Sequence, residues 1–199
     1  MLQAAADGSR VFPIAWHVDY WDFLGWQDPF AHAEFTARQE AYREALGLSS
    51  LYTPQMVVNG QWEFVGSDGY ALSNALAAGL STPVTVSVSV WPELDDIGNI
   101  DVRYEVVGAP AGSALQLVLV ERDLSTAIPS GENAGTTLTG QNVVRQWIVA
   151  PTSTAELELD PGEVVLDDAS LVGWVQSEED MTISGATYLD LRDALADGL

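Results

Sequence analysis

The sequence predicts an α+β chain in which a short α/β layer is followed by an antiparallel, β-sandwich-like half. Three observations carry that class. Two segments with apolar residues at helical spacing flank an Asn-Gly pair set between short apolar runs, all before residue 82. From Pro83 onward the apolar period falls to two, which describes half-buried antiparallel strands. Seven such strands fit into the remaining residues, the density of a β-sandwich. With 199 residues, 47% of them hydrophobic, the chain can bury one large core or two modest ones. A composition break at Ser81-Thr82-Pro83 favours two domains, 1–81 and 82–199.

In order, Leu2 to Ala6 reads as the last turn of a helix closed by Asp7-Gly8, so the chain is expected to start late in a longer natural protein. Val11 to Val18 is rich in β-branched and aromatic residues and reads as a buried strand. Asp28-Pro29 offers a helix entry, with the regular part starting nearer Ala33. There Phe35, Arg38 or Gln39, Tyr42 and Leu46 share a face, Glu34 can pair with Arg38 one turn on, and Gly47 ends the helix. Asn59-Gly60 between Gln55–Val58 and Trp62–Val65 is the strongest hairpin signal, because a type I′ turn needs positive φ at both central residues. Ser67 or Asp68 then caps a helix whose face is Leu72, Ala75, Leu76 and Leu80. The strands of the second half fall at 84–90, 100–106, 114–121, 143–149, 155–159, 171–176 and 182–186, and a closing helix at 189–195. Turns fall at Gly98-Asn99, Gly108 to Gly112 and Asp160-Pro161-Gly162.

Charge narrows the partners. Seven Arg, no Lys and 29 acidic residues give a net charge of −22, a field that repels nucleic acid and anionic membrane. The same composition suits a protein bathed in high salt, where screening removes the self-repulsion. Cysteine is absent, so the chain offers no disulfide, thiolate metal site or thiol nucleophile. No run reaches the roughly 20 apolar residues of a membrane span, and Met1 to Gly8 has neither the basic start nor the apolar stretch of a signal peptide.

The chemistry concentrates in His17 to Phe30, which packs two Trp, a Tyr, two Phe, three Asp and a His behind the apolar run. In open α/β sheets the C-terminal end of a strand is where ligands sit. His17 and Asp19 lie on one side of the expected strand, and with Asp22, Asp28 and Glu132 they pose a metal reading. The spacing matches no metal signature, and a His at a strand end is more often bonded to a neighbouring carboxylate. Trp21, Trp26 and Phe30 are expected to pack the loop against the helix rather than form a sugar or base platform. The segment Ser130 to Gly135 reads as an inter-strand loop, with Glu132 or Asn133 a candidate contact to the His17–Asp22 loop. Arg145, in an acidic chain, is expected to anchor a carboxylate. No Gly-x-Ser-x-Gly elbow or phosphate-cradling glycine loop is present, so no catalytic residue, cofactor or metal is assigned.

The His17–Phe30 run, Tyr52-Thr53-Pro54-Gln55-Met56-Val57-Val58-Asn59-Gly60, Val65-Gly66-Ser67-Asp68, Gly131-Glu132-Asn133-Ala134-Gly135 and Asn142-Val143-Val144-Arg145 together resemble an uncharacterised bacterial family, the thioredoxin-like domain of unknown function DUF1223. The resemblance implies an incomplete thioredoxin-like layer before the β-rich half, in a protein that is periplasmic or secreted. Relatives carry a first strand and a Cys-x-x-Cys helix before the position of Leu2. In a thioredoxin-like sheet that first strand lies between those corresponding to Val11–Val18 and Gln55–Val58, so without it these two are expected to leave open edges in one sheet, unless the natural chain is longer, another segment or another chain completes the sheet, or the two strands pair directly. The resemblance also implies a cis Thr53–Pro54 peptide. The surface of His17, Asp19, Tyr20, Trp21, Asp22, Trp26, Thr53, Pro54, Glu132 and Asn133 is then the candidate binding site. Three function classes stay open: a non-catalytic envelope binding or scaffold module with a peptide or envelope protein as partner, a thiol oxidoreductase whose active segment lies elsewhere, and a metal-assisted enzyme using His17 and nearby carboxylates.

Overall fold

The computed structural model describes residues 10–130 and 134–196, so the expected helix turn at Leu2–Ala6, and Glu132 and Asn133, lie outside the described residues. Helix α1 spans Ala33–Ala45, strands β1 (Gln55–Val58) and β2 (Trp62–Val65) form a hairpin, and helix α2 spans Gly69–Ser81. The β-rich half follows as β3 (Ser87–Leu94), β4 (Ile100–Val107), β5 (Ser113–Glu121), β6 (Leu124–Ala127), β7 (Thr137–Gly140), β8 (Val143–Pro151), β9 (Ala155–Leu159), β10 (Ala169–Ser177), β11 (Ile183–Asp190) and helix α3 (Leu191–Ala196). Among the described residues all ladder pairings are antiparallel, giving an α+β chain with a sheet in the order β11-β10-β5-β8, a sheet β3-β4-β9 and two hairpins.

Local chemistry explains the boundaries. Asn59 and Gly60 both take positive φ, 51° and 71°, the backbone of the predicted turn. Asp68 caps α2, its carboxylate accepting the N–H of Tyr70 and Ala71. Gly47, at φ 66°, follows the end of α1. All seven predicted strands of the second half are present, the first starting at Ser87 and the last extending to Asp190. The β6–β7 hairpin is an addition: Leu124–Ala127 and Thr137–Gly140 are short and polar, with no apolar alternation to mark them.

The sheet β11-β10-β5-β8 is covered on both faces. Leu115, Leu117, Leu119, Leu171 and Val175 face β3-β4-β9, where Val86, Val88, Ile100, Val102 and Tyr104 complete a buried cluster. Val118, Val120, Val144, Val172 and Trp174 point the other way and are buried against Phe35 of α1 and against Phe12, Ile14 and Trp16. That second cluster draws on residues from either side of Ser81-Thr82-Pro83.

Val11–Val18 is not a regular strand. It forms isolated parallel bridges, Ala15 to Val143 and His17 to Ala31. The Ala15 N–H donates to the Asn142 carbonyl at 2.9 Å and its carbonyl accepts from Val144 at 3.0 Å. Pro13, with no N–H, cannot carry a ladder past Ala15. The expectation that this segment lies in one sheet with Gln55–Val58 is corrected as well. It docks at the start of β8, and β1 has β2 as its ladder partner among the described residues.

The outer face of β3-β4-β9 is acidic. Glu93, Asp101 and Glu158 stand directly opposite one another across the three strands, all exposed. One row along, the exposed Arg103 covers the Trp91 ring at 4.4 Å. Like charges in register destabilise a ladder in low salt.

Candidate functional site

From Val18 the chain leaves the sheet, turns through a 3-10 turn at Asp22–Leu24 and returns to α1. The polar residues of this loop hold it together in pairs. His17 Nδ1 lies 2.6 Å from Asp28 Oδ2. The second oxygen of Asp28 accepts the Phe30 N–H at 2.9 Å. Asp19 accepts the Thr36 hydroxyl at 2.6 Å and so ties the loop to α1. Asp22 accepts the Asp28 N–H at 3.3 Å. Of the five groups of the metal reading, His17 and Asp28 are paired with each other, Asp19 is taken by Thr36 and Asp22 by the Asp28 backbone, and no three His, Asp or Glu converge among the described residues.

Asp28 is the group most shaped by this arrangement. Burial pushes its carboxyl up, but the hydrogen bonds with His17 and the Phe30 N–H outweigh that and hold it below its ordinary value. A carboxyl depressed in the folded state adds stability that is complete above its unfolded pKa and is lost as pH falls through the folded one. Asp28→Asn is therefore expected to flatten the loss of stability below the ordinary value of 3.8, read from urea melts at stepped pH. An acid limb as steep as that of the wild type would count against it.

The aromatic residues divide between wall and surface. His17, Trp26, Asp28 and Phe30 form one side of a cavity of about 250 Å³, and Thr126, Leu138 and Thr139 of the β6–β7 hairpin form the other. Ser130 closes the contact by donating to the Gly25 carbonyl. The Phe30 ring lies over the Arg145 guanidinium at 5.1 Å, and Arg145 pairs with the buried Glu121, the carboxylate expected for it. Tyr20 turns inward, and burial pushes its hydroxyl up. Trp21, Phe23 and Leu24 project, 46%, 77% and 50% exposed. The Trp21 indole N–H donates to Thr53 Oγ1 at 3.0 Å, beside the Thr53–Pro54 peptide, which is cis as expected. The Gly66 N–H donates to the Pro54 carbonyl at 2.7 Å, fixing which groups of β1 face β2. By the alternation of an antiparallel ladder, the backbone groups of Gln55 and Val57 face away from β2, and they have no backbone partner among the described residues.

A second cluster was not expected from the sequence. Arg38 does not pair with Glu34. Its guanidinium turns inward among Trp16, Tyr42, Trp147 and Trp174, with its central carbon 4.9, 5.1, 5.2 and 5.3 Å from the ring centroids. Nη2 donates to Tyr42 Oη at 3.0 Å and to Gln176 Oε1 at 2.9 Å. Trp147 Nε1 donates to Gln116 Oε1 at 2.9 Å. The available signal was an Arg on the stripe between Phe35 and Tyr42, where a core residue belongs.

The sequence matches the family described as "Protein of unknown function (DUF1223)" over residues 1–176. A crystal structure of a protein from Agrobacterium tumefaciens is similar to it, with a TM-score of 0.69 and 24% identity over 94% of this chain and 84% of that one, a likeness of fold. A domain of the outer membrane lipoprotein Omp28 from Porphyromonas gingivalis aligns over 55% of this chain and 90% of its own, at 14% identity and a TM-score of 0.32, too low to imply a common fold. No curated protein sequence is significantly similar.

Proposed function

This chain belongs to the DUF1223 family of unknown function, and from that premise we propose that it is a non-catalytic binding module of the bacterial cell envelope that takes an extended polypeptide segment. The observation that carries the reading is the outward-facing backbone of Gln55 and Val57 beside cis Pro54 and the projecting Trp21. An unpaired strand edge offers hydrogen bonds to any extended chain, and a flanking aromatic supplies a side-chain pocket. The order α1, cis proline, hairpin, α2 supports a thioredoxin-like ancestry for this half, in which the added segment stands where that fold has a further strand. The periplasmic or secreted setting is part of the same proposal and rests on the family resemblance. A chain with no cysteine supplies no thiol for disulfide exchange.

The test is selection of linear peptides from a displayed library on the purified chain. Selected peptides are expected to bind at least tenfold more weakly to Trp21→Ala. N-methylation of alternate backbone nitrogens in the best peptide is expected to abolish binding, and methylation of the intervening ones to leave it intact. Peptides that ignore Trp21→Ala and both methylation patterns, or no enrichment at all, would defeat the proposal.

A further inference from the structure

Arg38 is the one buried cation among the described residues, at 7% exposure. Arg43, Arg122, Arg145 and Arg192 each pair with a carboxylate, and Arg38 does not. A buried charge without a counter-charge is costly, and the surrounding rings offset that cost at the faces of the guanidinium rather than at its donating edge. Its Nε is buried and has no acceptor. An open groove of about 380 Å³ lies beside this cage, lined by Arg38, Gln116 and Gln176, all buried, by Trp147, and by the exposed Glu34 and Glu178.

That volume falls in the range of small-molecule sites, about 300 to 1,000 Å³. The buried end offers the Arg38 guanidinium and the amide nitrogen of Gln116, which suit a carboxylate, while the amide nitrogen of Gln176 donates to Tyr42 Oη and the Met181 carbonyl. The exposed end offers two carboxylates, which repel phosphate or a dicarboxylate and attract an ammonium group. We propose that this groove binds a small apolar amino acid as its zwitterion, with the carboxylate at Arg38, the ammonium between Glu34 and Glu178, and the side chain against Trp147. A ligand with no net charge also avoids the long-range repulsion of a chain at −22.

Calorimetric titration of the wild-type chain with leucine, 4-methylpentanoate, leucinamide and inorganic phosphate tests this. Leucine is expected to bind saturably, leucinamide at least tenfold more weakly, and phosphate not at all. Glu34→Gln, at an exposed position, is expected to narrow the preference for leucine over 4-methylpentanoate, and Arg38→Gln to abolish leucine binding. Should Arg38→Gln not fold, the unmodified protein still decides, because leucine must shift the Trp147 indole N–H resonance. Equal binding of leucinamide, no saturable binding of leucine, or no effect on Trp147 would overturn the proposal.

Discussion

Phe35→Ala is expected to remove about 3 to 5 kcal/mol of unfolding free energy, the usual cost of emptying a buried aromatic site. Phe35 is 2% exposed, and it is the helix α1 side chain buried among Val118, Val120, Val144, Val172 and Trp174 of the sheet. The Trp16 ring meets it edge-on at 5.0 Å. Because the cluster joins residues far apart in sequence, its loss is felt by both halves. Urea melts of the variant followed by far-UV circular dichroism and by tryptophan fluorescence are expected to coincide at a lower midpoint. A loss under about 1 kcal/mol, or an early transition confined to the helical signal, would mean that the α1 contact contributes little to holding the halves together.

Gly60→Ala is expected to be nearly as damaging, by at least about 2 kcal/mol, for two separable reasons. Gly60 sits at φ 71°, where a side chain is strained, and an added Cβ would lie 1.9 Å from the Met181 carbonyl oxygen. The close approach is how the hairpin turn docks on the β10–β11 connection, where the Ile183 N–H donates to the Asn59 carbonyl at 3.0 Å. Gly47→Ala provides the control, since Gly47 has φ 66° and nothing within 4 Å of the added atom. Thermal melts are expected to show the Gly47 variant losing about 1 kcal/mol and the Gly60 variant clearly more. Equal losses would mean that the turn has room to lift away from Met181.

The parts of the fold legible in the sequence are those in which one local rule dominates. Asn59-Gly60, the Asp68 cap and the alternation from Val86 to Val106 each leave the chain a single favourable conformation. Val11–Val18 misled because its composition is that of a strand, while its partners are single residues and Pro13 interrupts the donors. The second layer over the sheet was signalled more faintly. Ala114 to Glu121 and Ala169 to Gln176 are runs of buried residues without alternation, the mark of strands covered on both faces. At the candidate site, the His17 bond to a carboxylate and the Arg145 anchor followed from chemistry that sequence exposes. The cage around Arg38 did not, because Trp16, Trp147 and Trp174 come from segments separated by most of the chain and meet only when the layers stack.

The rank of carboxylates formed by Glu93, Asp101 and Glu158 bears on how copies of the protein behave toward one another. Two molecules meeting through that face would have to gather a sheath of counter-ions before they could touch, and the entropy of confining those ions opposes the encounter. Crowded copies are thereby steered away from stacking sheet on sheet, and the flank where Phe23 and Leu24 protrude stays open for a different visitor.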